Sequence, residues 1–502
     1  MTRTIRIFDT TLRDGEQCPG TRMTLDDKVA IARQLLRLRV DVIEAGFPVS
    51  SPGDTHSVAA VAELVGERAT VCALSRAVEK DIDAAAEALT RAKRPRIQTG
   101  IGVSPVHLRE KLGISQDDCL NRIDRAVRHA RNLVPDVQFY AEDAGRSDYD
   151  FLVRALQTAV DAGATVLNIP DTTGFSLPDE FGRRIAYVME HVRGIERVCV
   201  AVHCHNDLGL ATALALAGIQ NGASQVECTI NGLGERAGNT ALEEVVMALA
   251  VHGSEMGVAT GVQTEELTRA SRLVARVTGC KVQANKAIVG ENAFAHASGI
   301  HQDGVLKSPG TYEIIDPARV GAGSSRIVLT ARSGRTALQE RLGTLGYTFD
   351  ESELDELYNG FLQMADKKKE VFDEDLESLV RERQRVANAF FTLEALQISC
   401  GFPLTPTATL TLRSREGELT TVCEYGTGPI DAAYKAIDRI VRESVDLADF
   451  NVQSITGSTD ALGEVTVRVR AHDGKIHIGR GADGDIVVAS AKAYLNALNR
   501  LL

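Results

Sequence analysis

Two histidines stand two residues apart in Val202-His203-Cys204-His205-Asn206-Asp207, directly after an apolar run over 198–202. Such a run reads as a buried strand. Side chains alternate along a strand, so His203 and His205 share a face, where two imidazoles could hold one divalent metal ion. Two packed histidines, each bonded to a neighbour, account for the pair taken alone. Other stretches add complementary groups. Asp14 offers a carboxylate, and Asn239 a neutral oxygen. Together they form a mixed N and O donor set suited to Zn, Mn, Mg or Co. Open positions on such an ion would take a bidentate substrate such as a 2-oxo acid and polarise its ketone. Arg13, beside Asp14, could stabilise an enolate or alkoxide oxygen. Glu142, His107 and His301 are candidates for proton transfer.

Rigid strand ends must position these groups, and the hydropathy pattern supplies them. Apolar runs at 5–9, 41–46, 70–74, 96–101, 137–142, 165–169, 198–202 and 225–230 carry helical patterns between most of them, at 25–38, 80–92, 117–133, 148–162, 178–192, 208–221 and 241–251. Thr24 is the expected N-cap of the first helix. About eight strand–helix units imply a parallel sheet closed as a (β/α)8 TIM barrel. An open doubly wound sheet is the alternative, weakened by the lack of a GxGxxG turn after the first run. In a barrel the site lies on the loops after the strands. Arg13, Asp14, Glu44, His107, Glu142, Asp143, Asp171, Thr172, His203, His205 and the stretch 231–239 all fall there.

A further helix is expected at 264–279, after which the alternation breaks. A charge-rich helical region covers 335–389, with Asp366-Lys367-Lys368-Lys369-Glu370 read as a solvated helix face. From about 390 the chain is strand-rich and weakly repeats strand, strand, glycine-rich turn, helix. Gly428, Pro429 and Ile430 in one half, and Asp485 and Ile486 in the other, stand at expected helix starts, where backbone N–H groups suit a carboxylate. The expected division is a barrel over 1–275, a mostly helical linker region over 276–389 and an α+β regulatory domain over 390–502.

A chain of 502 residues is too long for one ordinary domain. Its formal charge of −12 argues against nucleic acid or an anionic membrane as the main partner. Nine scattered cysteines without a CxxC pair point to reduced thiols and a cytoplasmic setting. There is no signal-peptide pattern and no apolar run of membrane-spanning length.

The stretch Phe8-Asp9-Thr10-Thr11-Leu12-Arg13-Asp14-Gly15-Glu16-Gln17 resembles the first motif of the metal-dependent Claisen-condensing barrel enzymes and related lyases. The stretch from His203 to Gly209 and that from Asn231 to Asn239 are similar to its second and third motifs. Asn292-Ala293-Phe294-Ala295-His296 and Ser298-Gly299-Ile300-His301-Gln302-Asp303-Gly304 narrow the resemblance to the 2-isopropylmalate synthase family, and it extends over nearly the whole chain. The resemblance implies condensation of acetyl-CoA with 2-oxoisovalerate, the first committed step of leucine synthesis. It places Asp14, His203, His205 and Asn239 around the metal, and Arg13 at the developing oxyanion. It puts Thr172 on the oxo acid carboxylate, with Gln17, Glu44, His107 and Tyr140 as further substrate contacts. It gives proton transfer and thioester hydrolysis to Glu142, His301 and Tyr312, without choosing the base. It also implies a homodimer, in which the segment after the barrel covers the partner's site, and a tail that binds leucine as inhibitor.

The chain departs from the family at Tyr140, where small residues are frequent, and at Gly100 and Gly102, where bulkier ones are common. A bulky residue at 140 is reminiscent of citramalate synthases, which use pyruvate and answer to isoleucine. A tyrosine filling the space left by the glycines is the other reading. Two further classes remain. A hydroxymethylglutaryl-CoA lyase on the same barrel would not be expected to carry the tail. A decayed, non-catalytic amino-acid sensor would be expected to have lost Arg13, Asp14, His203 or His205.

Overall fold

The computed structural model describes residues 2–368, 370–387, 389–443, 445–454, 463–472 and 474–502. Eight strands close into one parallel barrel: β1 (Arg6–Asp9), β2 (Val42–Gly46), β3 (Thr70–Arg76), β4 (Pro95–Gly102), β5 (Asp136–Glu142), β6 (Val166–Asp171), β7 (Cys199–Cys204) and β8 (Gln225–Cys228). Phe8 pairs with Val42 on one side of β1, and Arg6 pairs with Gln225 on the other, which closes the ring. The open doubly wound alternative is excluded, because these eight strands form a closed ring. The strands read as apolar runs because both their faces are buried.

Helices α1 (Leu25–Leu38), α2 (Pro52–Val65), α3 (Glu79–Ala88), α4 (Gln116–Leu133), α5 (Tyr149–Ala162), α6 (Pro178–His191), α7 (Ala211–Gln220) and α8 (Leu242–Met256) follow the strands in turn. Thr24 caps α1, and Asp27 answers it in a capping box. Helix α2 has no counterpart among the sequence expectations. Ser51-Pro52-Gly53 looks like a turn, but Ser51 accepts the Asp54 N–H as N-cap and Pro52 fills the first turn, where its missing N–H costs nothing. Helix α9 (Leu267–Thr278) comes next, and Ile315 and Val320 pack into the same apolar core as the barrel. The segment between them holds α10 (Gly299–Lys307) and Ala295–His296, which pairs in parallel with Arg326–Ile327 further on.

The chain forms two compact units, Met1–Val328 and Leu329–Leu502. The second opens with α11 (Arg335–Thr344), α12 (Glu351–Ala365) and α13 (Asp373–Ala387). The run 366–370 therefore follows α12 instead of lying on a helix face. Its charges solvate the inter-helix turn, where Lys368 pairs with Asp375, while Lys369 lies outside the described residues. The tail has two antiparallel sheets. One is β9 (Phe391–Gly401), β10 (Leu404–Ser414) and β11 (Leu419–Tyr425). The other is β12 (Asp446–Ser454), β13 (Gly463–Arg470) and β14 (Ile476–Asp483). Helix α14 (Pro429–Val441) follows the first sheet and α15 (Ile486–Leu498) the second. The repeat is thus strand, strand, strand, helix. Each half gains a leading strand over the sequence expectation, and one core of both sheets and both helices unites them. Tyr434 of α14 stacks on Tyr494 of α15 with centroids 4.1 Å apart. Among the described residues, no helix is long and apolar enough to cross a membrane.

Candidate active site

The loop after β1 is nailed down before it delivers any chemistry. Buried Asp9 accepts from the Thr11 N–H at 3.0 Å and the Thr11 hydroxyl at 2.9 Å. The Thr11 oxygen in turn accepts from Ile230 N, tying this loop to the one after β8. Thr10 donates its hydroxyl to Glu44 and accepts the Asp14 N–H. Burial pushes the Asp9 carboxyl up to about 7.

The loop so fixed presents Arg13 and Asp14. Arg13 Nε donates to Glu44 Oε2 at 2.9 Å, and Nη1 to Asp14 Oδ2 at 2.7 Å. Burial works against the Arg13 charge, but Glu44 and Asp14 outweigh it and hold the guanidinium protonated. Burial likewise opposes the Asp14 charge, yet Arg13 and the two histidines hold its carboxyl well below the usual range.

His203 is the penultimate residue of β7 and His205 stands just past its end, and the two share a face as the alternation requires. Their Nε2 atoms are 2.9 Å apart, and His203 Nε2 is 3.7 Å from Asp14 Oδ2. Desolvation, then His203, depress His205 to about 3. On its far side Arg236 Nη2 donates to His205 Nδ1 at 2.9 Å. His203 Nδ1 faces Glu227 Oε2 at 3.2 Å. The loop after β8 brings in Asn239, whose Nδ2 donates to Asp14 Oδ1 at 3.1 Å.

Asp14, His203 and His205 offer ligand atoms that all lie within 4.8 Å of one another, and all three residues are buried. Asn239 Oδ1 is also buried and has no partner. An orphaned buried acceptor on a residue bonded to Asp14 is an unmet demand that a cation would satisfy. The donor set therefore fits a divalent metal.

Strands β4 and β5 form the facing wall. A Cβ on Gly100 would come 2.6 Å from Tyr140 Cγ, so the tyrosine ring occupies the room the glycine leaves, with its hydroxyl 3.3 Å from Ser75 O. A Cβ on Gly102 would come 2.6 Å from His107 Nδ1. His107 opens a single π-turn, His107–Leu112, a local form frequent at functional sites. Its ring lies 3.6 Å from Glu142 Oε2 and 3.7 Å from Asp143 Oδ2. Lys111 Nζ holds both Glu142 oxygens, at 2.6 and 2.8 Å. Asp143 sits in the left-handed region at φ 63°, and its N–H donates to Thr172 Oγ1 at 2.9 Å. Gln17 is exposed at the lip.

The barrel thus gathers Arg13, Asp14, Glu44, His203, His205 and Asn239, and sets Glu142, His107, Tyr140 and Thr172 on adjoining strand ends. His301 and Tyr312 stack on each other at 4.2 Å between centroids, both exposed, and no described contact joins them to the cup. In the tail, Gly428 is the N-cap of α14, with Pro429 in the first turn and Ile430 half-buried. Asp485 caps α15, its Oδ1 accepting from Val487 N at 2.7 Å and Val488 N at 3.4 Å, and Ile486 is exposed. The sequence reading passed over Glu227, Gln138 and Lys111. Polar residues alternating inside runs read as buried strands, as in Gln225-Val226-Glu227, were the signal for the first two. Lys111 left none.

The HMGL-like family matches residues 4–274, the homocitrate synthase post-HMGL domain-like family residues 288–369, and the LeuA allosteric (dimerisation) domain residues 370–502. A 2-isopropylmalate synthase of Olsenella uli is 64% identical over 502 residues, covering 100% of this chain and 98% of that protein. The enzyme of the same name from Pelotomaculum thermopropionicum is 50% identical, covering 100% of this chain and 99% of its own. That of Dictyoglomus turgidum is 49% identical over 99% and 98%. Matched over its whole length by these enzymes and in its tail by the allosteric domain, the chain belongs to the 2-isopropylmalate synthase family.

Proposed function

We propose that this chain condenses acetyl-CoA with 3-methyl-2-oxobutanoate (2-oxoisovalerate), hydrolyses the thioester to give 2-isopropylmalate and CoA, and is inhibited by leucine. One observation carries the reading: Asp14, His203 and His205 converge beside a doubly anchored Arg13, with Asn239 bonded to Asp14. Asp14, His203 and His205, with Asn239, would hold a divalent metal ion, which when bound supplies Lewis-acid polarisation of the oxo acid.

The chain's own groups do the rest. A base removes a proton from the acetyl methyl group, and the carbon so freed attacks the ketone carbon. The ketone oxygen takes up a proton, and water then splits the thioester, with CoA leaving as the thiol. Arg13, fixed by Glu44 and Asp14, is the donor for the oxygen that gains charge. The Thr172 oxygen already accepts the Asp143 N–H, so its hydroxyl proton is available to the oxo acid carboxylate. Glu142, His301 and Tyr312 are the residues assigned to proton transfer. Their exposure suits His301 and Tyr312 to the mouth of a second copy, and the match to a dimerisation domain supports a homodimer. In this reading residues 1–275 carry the chemistry, 276–389 complete the site and 390–502 regulate it.

Tyr140 narrows the cup toward pyruvate unless its bulk is offset. Its ring takes the space that the missing Gly100 side chain leaves, an offset that supports the larger oxo acid. The test is release of free CoA thiol from acetyl-CoA with a panel of 2-oxo acids. The highest kcat/KM is expected for 3-methyl-2-oxobutanoate. A preference for pyruvate would move the chain to the citramalate synthases, and no thiol release with any oxo acid would sink the reading.

A further inference from the structure

Beneath the cup, the barrel interior holds a fully buried polar layer. Arg96 Nη1 donates to Gln225 Oε1 at 2.9 Å and to Gln138 Oε1 at 3.3 Å, and Gln225 Nε2 also donates to Gln138 Oε1, at 3.0 Å. With its oxygen facing these donors, the Gln138 amide must turn its NH2 the other way. There it donates to Gln98 Oε1 at 2.6 Å and to Glu227 Oε1. The second Glu227 oxygen faces His203 Nδ1 at 3.2 Å. A carboxylate only accepts, so Glu227 fixes the imidazole proton on Nδ1 and leaves the His203 Nε2 lone pair pointing at Asp14 and His205. His205 is not preset in this way, because Arg236 donates to its Nδ1 and so puts its proton on Nε2, facing His203.

We propose that Glu227, locked by Gln138, is the positioning residue that makes His203 the preset ligand of the metal site. The inference rests on the metal reading of Asp14, His203 and His205. Glu227→Gln is close to isosteric and inverts the logic. Its amide oxygen can still accept from Gln138, but its NH2 then donates to His203 Nδ1 and drives the imidazole proton onto Nε2, into the metal site.

The experiment is calorimetric titration of MnCl2 into the chelator-stripped full-length protein, paired with thermal melts of the metal-free form. Glu227→Gln should weaken Mn2+ at least about tenfold, as loss of a carboxylate behind a ligating histidine does, while its metal-free melting temperature stays near that of wild type. Gln98→Met, which disturbs the same layer without touching His203, should bind Mn2+ within about threefold of wild type, well short of that loss. Mn2+ binding by Glu227→Gln at wild-type strength would overturn the proposal. So would an equal loss in Gln98→Met, since packing of the layer would then be the cause. If Glu227→Gln does not fold, Gln138→Met takes its place. It must weaken Mn2+ more than Gln98→Met does, and equal affinities would overturn the proposal. Failure of the wild type itself to bind Mn2+ would instead refute the metal site.

Discussion

Arg13 shows how one side chain is committed before substrate arrives. Its guanidinium is spread between Glu44 and Asp14, so its position depends on a planar fork that lysine cannot reproduce. Arg13→Lys should lower kcat by about a hundredfold or more, as removing an oxyanion donor does, with a much smaller change in KM. Steady-state kinetics decide this, and a pure KM effect would reduce Arg13 to a substrate clamp. Asp14→Ala removes a carboxylate that both imidazoles face. It should cost at least about a hundredfold in turnover together with the bound metal, and metal analysis after desalting would show whether the two losses coincide. Asp9 is a different case, a buried carboxyl that holds the loop. Its pKa of about 7 exceeds the ordinary 3.8. Between these values the folded state keeps the proton and the unfolded state does not, so stability falls as pH rises through that window and levels off above 7. Relative to Asp9→Asn, the wild type should lose roughly 2–3 kcal/mol between pH 5 and pH 8. Paired melts at the two pH values measure it, and a pH-independent difference would remove Asp9 from this account.

At the scale of elements, β4 reaches the cup with no side chains at Gly100 and Gly102, and neighbours use the space. A methyl group at 102 would push on His107 Cβ as well as its ring, and Cβ cannot swing aside. Gly102→Ala should therefore move the start of the π-turn away from Glu142. Overpacking of this kind costs about 1–3 kcal/mol of stability, and activity should fall by more than that loss explains. An active variant with unchanged melting temperature would show that the turn is softer than its geometry implies. The barrel was legible in the sequence because each strand is a short apolar run and the chemistry clusters just past the runs. The metal cluster was legible for the same reason, since one strand fixes the relative direction of His203 and His205. Other elements were not. Helix α2 hid behind Ser51-Pro52-Gly53, whose residues cap a helix as readily as they make a turn. The leading tail strands β9 and β12 were missed because their exposed stretches lack a clean apolar run. Glu227 could be seen to face the barrel interior, but nothing in one sequence says that it meets His203, a residue 24 positions away.

At the scale of the whole molecule, the proposed feedback by leucine falls to the tail. Its two halves repeat the same order of elements, yet their helix starts differ. At α15 the chain's own Asp485 carboxylate takes the first amides. At α14 the N-cap is Gly428, which has no side chain to offer, and a Cβ built there meets nothing within 4 Å. In the proposed feedback a free amino-acid carboxylate would take this amide end, beside Asp431, whose Oδ2 accepts from the Thr427 N–H at 2.8 Å. Ile430 packs at the edge of the apolar core shared by the halves, and in the proposed feedback the isobutyl group would pack against that edge. Gly428→Asp would make the first half resemble the second, with a built-in carboxylate where the ligand's would sit. Asp is also a favourable N-cap, so α14 should not suffer. Leucine should inhibit the wild type by binding its less active state more tightly. Gly428→Asp should keep its basal rate and lose that inhibition. Truncation after residue 389 should lose inhibition too, with some activity, because it removes an entire hydrophobic core. Calorimetry with leucine, and isoleucine as control, separates the outcomes. Equal leucine binding by wild type and Gly428→Asp would dismiss the α14 site. Tighter binding of isoleucine than of leucine would point back to pyruvate as the substrate.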